Sequence, residues 1–270
     1  MLKIALIQQH ASADRETNVQ RGVLALEQAA ARGARLAVFP ELAFLRFFPQ
    51  RRRDVQPAPP AESVPGPTTE VFCELARKHG IVIVLNLYEK DGDCTYDSSP
   101  VIDADGKLAG ITRMIHIMEG PGFHETDFYD PGNLGAPVFQ TSIGRLGVAI
   151  CYDRHFPEYM RALGVKGADL VVVPQAGSVG EWPAGVFEAE LQVAGFQNGY
   201  FAALANRVGA EESLTFAGES FVTDPFGRVI ARAAAGEDCT LHAELDLSLL
   251  ERCPARRHFM RDRRPGIYPL

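Results

Sequence analysis

The chain has 270 residues, 46% of them hydrophobic and 23% charged, with a formal net charge of −7. That is enough apolar material for one large core, which excludes an intrinsically disordered chain. The acidic balance excludes a global basic field for nucleic acid, and no apolar run approaches the roughly 18 residues that span a bilayer. Neither nucleic acid nor a membrane is therefore an expected partner.

In chain order, Lys3 to Gln8 alternates like a strand and is too short for a signal peptide. Asp14 is placed to cap a helix from Arg15 to about Arg32, with Val19, Val23, Leu26 and Ala30 on one face and Gly33 as the stop. Leu36 to Phe39 reads as a buried strand halted by Pro40, and Glu41 follows at once. A carboxylate there either caps a turn or faces a site. Pro49 to Pro67 carries six prolines and the triplet Arg51-Arg52-Arg53, which predicts a lid or rim. The triplet is either solvated surface or an attractor of anionic substrates.

A helix over Thr68 to His79 ends at Gly80, a core strand covers Ile81 to Leu85, and Tyr96–Ile102 and Leu108–Arg113 pair around Asp105-Gly106. Ile117 to Pro137 breaks into a Gly/Pro-rich loop holding Glu119, His124, Glu125 and Asp127. Leu146 to Ile150 is an apolar strand that delivers Cys151, with the polar exit Asp153-Arg154-His155 and a helix opened by Pro157 and running to Lys166. A thiol between a strand end and a turn is either reactive or a buried, inert cysteine. A strand at Asp169–Val173, a loop with Trp182 and a helix from about Ala184 to Asn198 follow. Strands at Phe201–Ala205, Gly218–Thr223, Arg228–Arg232 and Thr240–Leu245 close the pattern, with a hairpin across Asp224 to Gly227.

Early βαβ order and late hairpin order predict two sheets packed face to face with helices outside, an α/β architecture of one domain over 1–270. The five cysteines show no CxxC and no zinc spacing, so no metal and no cofactor is expected, and free thiols in a reducing cytoplasm are. The tail from Arg252 is basic, with Phe259 and Tyr268 as aromatic points; it reads as a solvated strap or as a segment lying on a second subunit.

Val38-Phe39-Pro40-Glu41-Leu42, Gly144 to Asp153 with Phe156-Pro157-Glu158, Gln197 to Tyr200, Asn206 to Gly209, Phe216 to Val222 and Arg263-Arg264-Pro265 stand in order over nearly the whole chain. In these motifs the chain resembles the nitrilase superfamily of carbon–nitrogen hydrolases, and within it the N-carbamoyl amidase branch. The resemblance implies a four-layer αββα sandwich that pairs into a homodimer or a higher even oligomer and acts on a small-molecule amide or N-carbamoyl substrate. Carried over by position, it implies Cys151 as nucleophile, Glu41 as general base and Glu125 as the second glutamate. Tyr152 would supply an oxyanion N–H, and Arg154 would bind a substrate carboxylate.

One position departs. Where the family pattern has a lysine, the run Arg113-Met114-Ile115-His116-Ile117 places Met114. Methionine neither donates to an oxyanion nor balances two glutamates. A protonated glutamate, His116 or His124 are the candidate substitutes, His116 because residues 114 and 116 of an extended segment share a side. The chemistry thus reads as an altered carbon–nitrogen hydrolase, with a catalytically impaired relative that binds a small molecule or partner as the alternative.

Overall fold

Alternating and continuous apolar runs close into two sheets whose inner faces form one core. The computed structural model describes residues 1–267, so Tyr268 and the end of the tail lie outside the described residues. The first half lays down β1 (Leu2–Gln8), α1 (Arg15–Ala31), β2 (Leu36–Val38), α2 (Pro67–His79), β3 (Val82–Val84), β4 (Leu87–Asp91), β5 (Cys94–Ile102) and β6 (Leu108–Arg113). After the short pair β7 (Glu119–Gly120) and β8 (Phe123–His124) come β9 (Val138–Thr141), β10 (Gly144–Val148), α3 (Pro157–Val165), β11 (Leu170–Gln175) and α4 (Val186–Asn198). The chain then runs through β12 (Phe201–Asn206), β13 (Val208–Ala210), β14 (Thr215–Ala217), β15 (Phe221–Thr223), β16 (Val229–Arg232) and β17 (Cys239–Leu245).

The first sheet has the order β17-β1-β2-β3-β5-β4 with β6 beside β5, and the second has β16-β15-β12-β11-β10-β9. Ile4, Leu6, Val38 and Val84 of the first meet Leu146, Val148, Val172 and Ala203 of the second in a single buried cluster. Alternate residues of the first sheet, Ala5, Ile7, Ala37 and Ile83, pack instead against Leu26 of α1 and Phe72 of α2. Those of the second, Ala149, Val171, Val173 and Ala202, pack against Leu163 of α3 and Leu191 of α4. Period-two alternation therefore feeds three apolar layers between four structural ones, an αββα sandwich. Strands buried on both faces also explain why these runs look continuously hydrophobic in sequence.

Local chemistry sets the boundaries. Asp14 caps α1 by accepting the Glu16 N–H, and Gly80 ends α2 in the left-handed region at φ 62°. The proposed rim is present and its arginines are engaged: Arg51 pairs with Glu212, and Arg52 with Glu119 and Asp127. The triplet is thereby a set of loop staples rather than a free anion attractor. The tail folds back on its own chain. Arg256 donates to Gly199 O and Ala168 O at 2.7 and 2.8 Å, and the Phe259 ring lies 5.4 Å from that of Phe196 on α4. Among the described residues no helix is long and apolar enough to cross a membrane.

The segment carrying residue 114 is pinned where β6 ends. Met114 N donates to Asp97 O at 2.9 Å, and Gly132 N donates to Met114 O at 2.7 Å. A Cβ on Gly132 would sit 2.3 Å from Arg113 O and 2.8 Å from Met114 O, both backbone atoms that must move to admit it. Gly132→Ala is expected to lower stability by about 1–3 kcal/mol in urea unfolding, the usual cost of overpacking; an unchanged midpoint would show that this contact is not tight.

Candidate active site

Three connections bring the candidate residues together. β2 ends at Val38 and leads through Phe39 and Pro40 to Glu41; β10 ends at Val148 and leads to a 3₁₀ turn over Cys151–His155; the loop after β8 carries Glu125 in a 3₁₀ turn, Glu125–Asp127. Cys151 has φ 43° and Leu42, next to Glu41, has φ 45°, so both strand ends turn sharply through the left-handed region that side chains rarely adopt. Arg207 holds the first of these turns. It is buried and donates to the backbone oxygens of Glu41, Leu42 and Leu45 at 2.9, 2.6 and 2.9 Å. Asn86 Oδ1 fixes the same turn by accepting the Leu42 N–H at 2.7 Å.

Glu41, Glu125 and Met114 are fully buried and Cys151 nearly so. Neither carboxylate oxygen of Glu41 has a hydrogen-bond donor, and Glu125 Oε1 has none either, while Glu125 Oε2 accepts the Met118 N–H at 2.9 Å. What Glu41 faces is the Asp97 carboxyl and the Cys151 thiol. Burial pushes the Glu41 carboxyl well above the ordinary carboxylate range, and the charges of Asp97 and Glu125 push it further. Burial does the same to Glu125, against the opposing Met118 N–H. Burial likewise raises the Cys151 thiol well above its usual value, with Glu41 and Glu125 adding to it. Asp97 rises to about 7, again chiefly through burial.

None of the five lysines relieves this crowding. Lys3, Lys78 and Lys107 pair with Glu244, Glu27 and Asp105, Lys166 donates to Ala136 O, and Lys90 is exposed on β4. Arg207 meets Glu41 only at its backbone oxygen, and the cation that approaches the sulfur acts through an amide. Arg154 Nε donates to Gln175 Oε1 at 3.0 Å, and Gln175 Nε2 donates to Cys151 Sγ at 3.3 Å. Arg154 also pairs with Glu190, which faces His155 Nδ1 at 2.7 Å, and its guanidinium lies 4.3 Å from the centre of the Phe187 ring. Of the Arg154 guanidinium nitrogens, Nη2 is the one buried without a partner. A forked grip on a substrate carboxylate, as the resemblance implied, would compete with Glu190 for this guanidinium.

The histidines are used elsewhere. The chain bends after Arg113 instead of staying extended, and His116 Nδ1 lies 2.7 Å from Asp153, with its ring stacked on Phe156 at 3.5 Å. Asp153 also accepts the N–H groups of Ile115 and His116, so this contact ties the 114 segment to the turn after Cys151. The expectation that His116 replaces the lysine rested on an extended segment and is corrected by this bend. His124 faces Glu119 at 3.1 Å, beside Arg52 on the rim. Tyr152 follows the thiol as the second residue of the 3₁₀ turn, its ring edge-on to those of His155 and Phe156.

Sequence reasoning missed Gln175 because the Asp169–Val173 strand was ended two residues early; β11 runs to Gln175. The signal was available: a polar residue at a strand end, as with Glu41 and Cys151. Asp97, within β5, and Asn86, just before β4, were missed because polar residues in or beside strands read as solvent-facing, and both are fully buried.

Buried acids short of donors, a thiol on a strained strand end and an amide aimed at the sulfur form one buried cluster in an α/β fold. The carbon-nitrogen hydrolase profile matches residues 3–255. An N-carbamoylputrescine amidase of Arabidopsis thaliana is 32% identical over 282 residues, covering 99% of this chain and 94% of the relative. A citrullinase of Francisella tularensis is 31% identical over 278 residues, covering 99% and 96%. The crystal structure of a carbon-nitrogen hydrolase from Helicobacter pylori G27 superposes with a TM-score of 0.89 at 29% identity, covering 99% of this chain and 97% of that one. The chain belongs to the carbon–nitrogen hydrolase family of the nitrilase superfamily.

Asp97 binds its proton more tightly folded than unfolded. The stabilisation this gives is fully present below 3.8 and is lost as pH rises to about 7. Asp97→Asn keeps an acceptor for Asn86 and carries no charge. Its stability relative to the native chain is expected to rise across that window, by on the order of a few kcal/mol. Urea midpoints between pH 4 and 8 measure this, and a difference that does not vary with pH would contradict it.

Proposed function

We propose that this hydrolase cleaves a small linear amide or N-carbamoyl compound through a Cys151 thioester, with Glu41 as the base and Glu125 as the second acid. The observation that carries the reading is the convergence of Glu41, Glu125 and the Cys151 thiol in one buried space. Glu41 takes the thiol proton as sulfur attacks the carbonyl carbon, and the same proton leaves on the departing nitrogen. Water then attacks the thioester while Glu41 takes its proton, which returns to the sulfur as the acid is released. In this reading the Tyr152 N–H meets the oxyanion, and a protonated Glu125 supplies the second donor that the lysine would give. The ureido compounds in the names of the two relatives make N-carbamoyl amines and amino acids the first substrates to test, with Arg154 Nη2 donating to one acceptor atom of the substrate.

Two further expectations belong to this reading. Pairing of two copies is supported by Val193 and Phe196 on α4 and by Phe259 of the tail, which stay partly exposed next to one another. A cytoplasmic setting is supported by five unpaired cysteines.

Release of ammonia from a panel of amides and N-carbamoyl compounds, lost in Cys151→Ala, is the expected result. No release from any of them, with unreacted substrate bound, would favour the binding alternative. Met114→Lys is expected to raise turnover by about 10²-fold, the usual worth of one oxyanion donor; an unchanged or lower rate with the fold intact would contradict the role assigned to position 114. At pH 7 iodoacetamide is expected to label Cys151 slowly in the native chain and faster in Met114→Lys. Fast labelling of the native thiol at that pH would contradict the reading.

A further inference from the structure

Asp97 is fully buried on β5 with Oδ2 lacking any donor, and its neighbour Glu41 has two oxygens in the same condition. Two ionised carboxylates do not face each other in a dry site unless a proton lies between them. The position of Asp97 gives it reach over the whole centre. Its Oδ1 accepts from Asn86 Nδ2, whose own Oδ1 holds the Leu42 N–H beside Glu41, and its backbone oxygen holds the Met114 N–H. One residue thus holds the segment that lacks the lysine directly and the turn that carries the base through Asn86.

We propose that Asp97 and Glu41 hold one proton between them, and that this acid pair, rather than a lone Glu41, is the base that takes the Cys151 proton. Asp97 is a positioning residue in this scheme, acting through Glu41. The inference rests on the Cys151 thioester reading. With one shared proton the pair carries a single negative charge. As the S–H bond breaks, the thiol proton moves to Glu41, the pair becomes neutral, and the sulfur electron pair forms the C–S bond. The C–N bond then breaks and the nitrogen leaves with one proton from the pair, which returns to its starting charge. Water then gives a proton to the pair as its oxygen bonds the thioester carbon; the C–S bond breaks, the acid leaves, and that proton passes from the pair to the sulfur. The pair and the thiol together never carry more than one negative charge, which offsets the absence of an ammonium.

The other groups around Asp97 are Glu125, Asp153 and Tyr129, none of which carries a positive charge. Burial holds Asp97 near 7, so the pair gives up its first proton close to neutrality and becomes competent as a base there.

The test is the pH profile of kcat and KM for the native chain, Asp97→Asn and Asp97→Ala. The native profile is expected to show an acidic limb near pH 7. In Asp97→Ala that limb is expected to move up by about one pH unit or more, because a lone buried carboxyl cannot share its proton. At pH 7 kcat then drops about tenfold with KM little changed, and Asp97→Asn, which donates an N–H to Glu41, restores part of it. A uniform loss across pH, with the limb unmoved, would overturn the proposal in favour of a merely structural Asp97. Infrared titration of the carboxyl band gives a readout that needs no turnover. The native chain is expected to lose a buried carboxyl proton near pH 7, and that event is expected to move to higher pH in Asp97→Ala. If no amide is hydrolysed, the thioester reading fails while this titration still decides the shared proton; an identical titration in both chains would overturn it.

Discussion

Three carboxyls and a thiol are packed into one dry space; Arg154 reaches the sulfur only through the side-chain amide of Gln175, and Arg207, paired with Glu211, meets Glu41 at its backbone oxygen rather than at its carboxyl. In a low-dielectric interior each extra negative charge raises the cost of the next steeply, so protonation is the cheapest way to relieve the crowding. The direction of every shift at the centre follows: Glu41, Glu125, Asp97 and Cys151 all hold their protons more tightly than they would in water. A site with an ammonium at position 114 would solve the same problem by neutralisation. This chain has a fully buried methionine there and must solve it with protons.

The fold makes such crowding possible. Each sheet is covered on both faces, so the ends of β2 and β10 deliver Glu41 and Cys151 to a position that water reaches poorly. Left-handed turns at Leu42 and Cys151 are costly, and they persist because Arg207, Asn86 and Asp153 over-determine the surrounding loops. Ion pairs on the rim, such as Arg52 with Glu119 and Asp127, join the proline-rich segment to the Glu125 loop and set how the site is covered. Being exposed, they contribute little to stability.

Much of this was readable in the chain. The Asp14 cap, the Gly80 stop and the Pro157 helix start are local chemistry, and each fell where sequence reasoning put it. So did the two-sheet architecture, because runs such as Ile81–Leu85 and Leu146–Ile150 suit strands buried on both faces. What escaped was set by distant partners. β4 ends in charged residues and looks like a loop, but Arg113 from β6 buries against Glu89 and completes the sheet edge. The Asp97 of Tyr96-Asp97-Ser98 looks like an outward-facing polar residue until Asn86, Glu41 and the 114 segment close around it. His116 looked like a lysine substitute until Asp153, far along the chain, turned it away.

The account stands on a neutral resting sulfur among acids that keep or share their protons. The thiolate absorbance of Cys151, taken as the difference between the native chain and Cys151→Ser across a pH titration, reports this directly. The account predicts that the thiolate signal appears only above the ordinary cysteine value of 9.0. A thiolate already formed at pH 7 would contradict it, because some unseen positive charge would then have to balance the site.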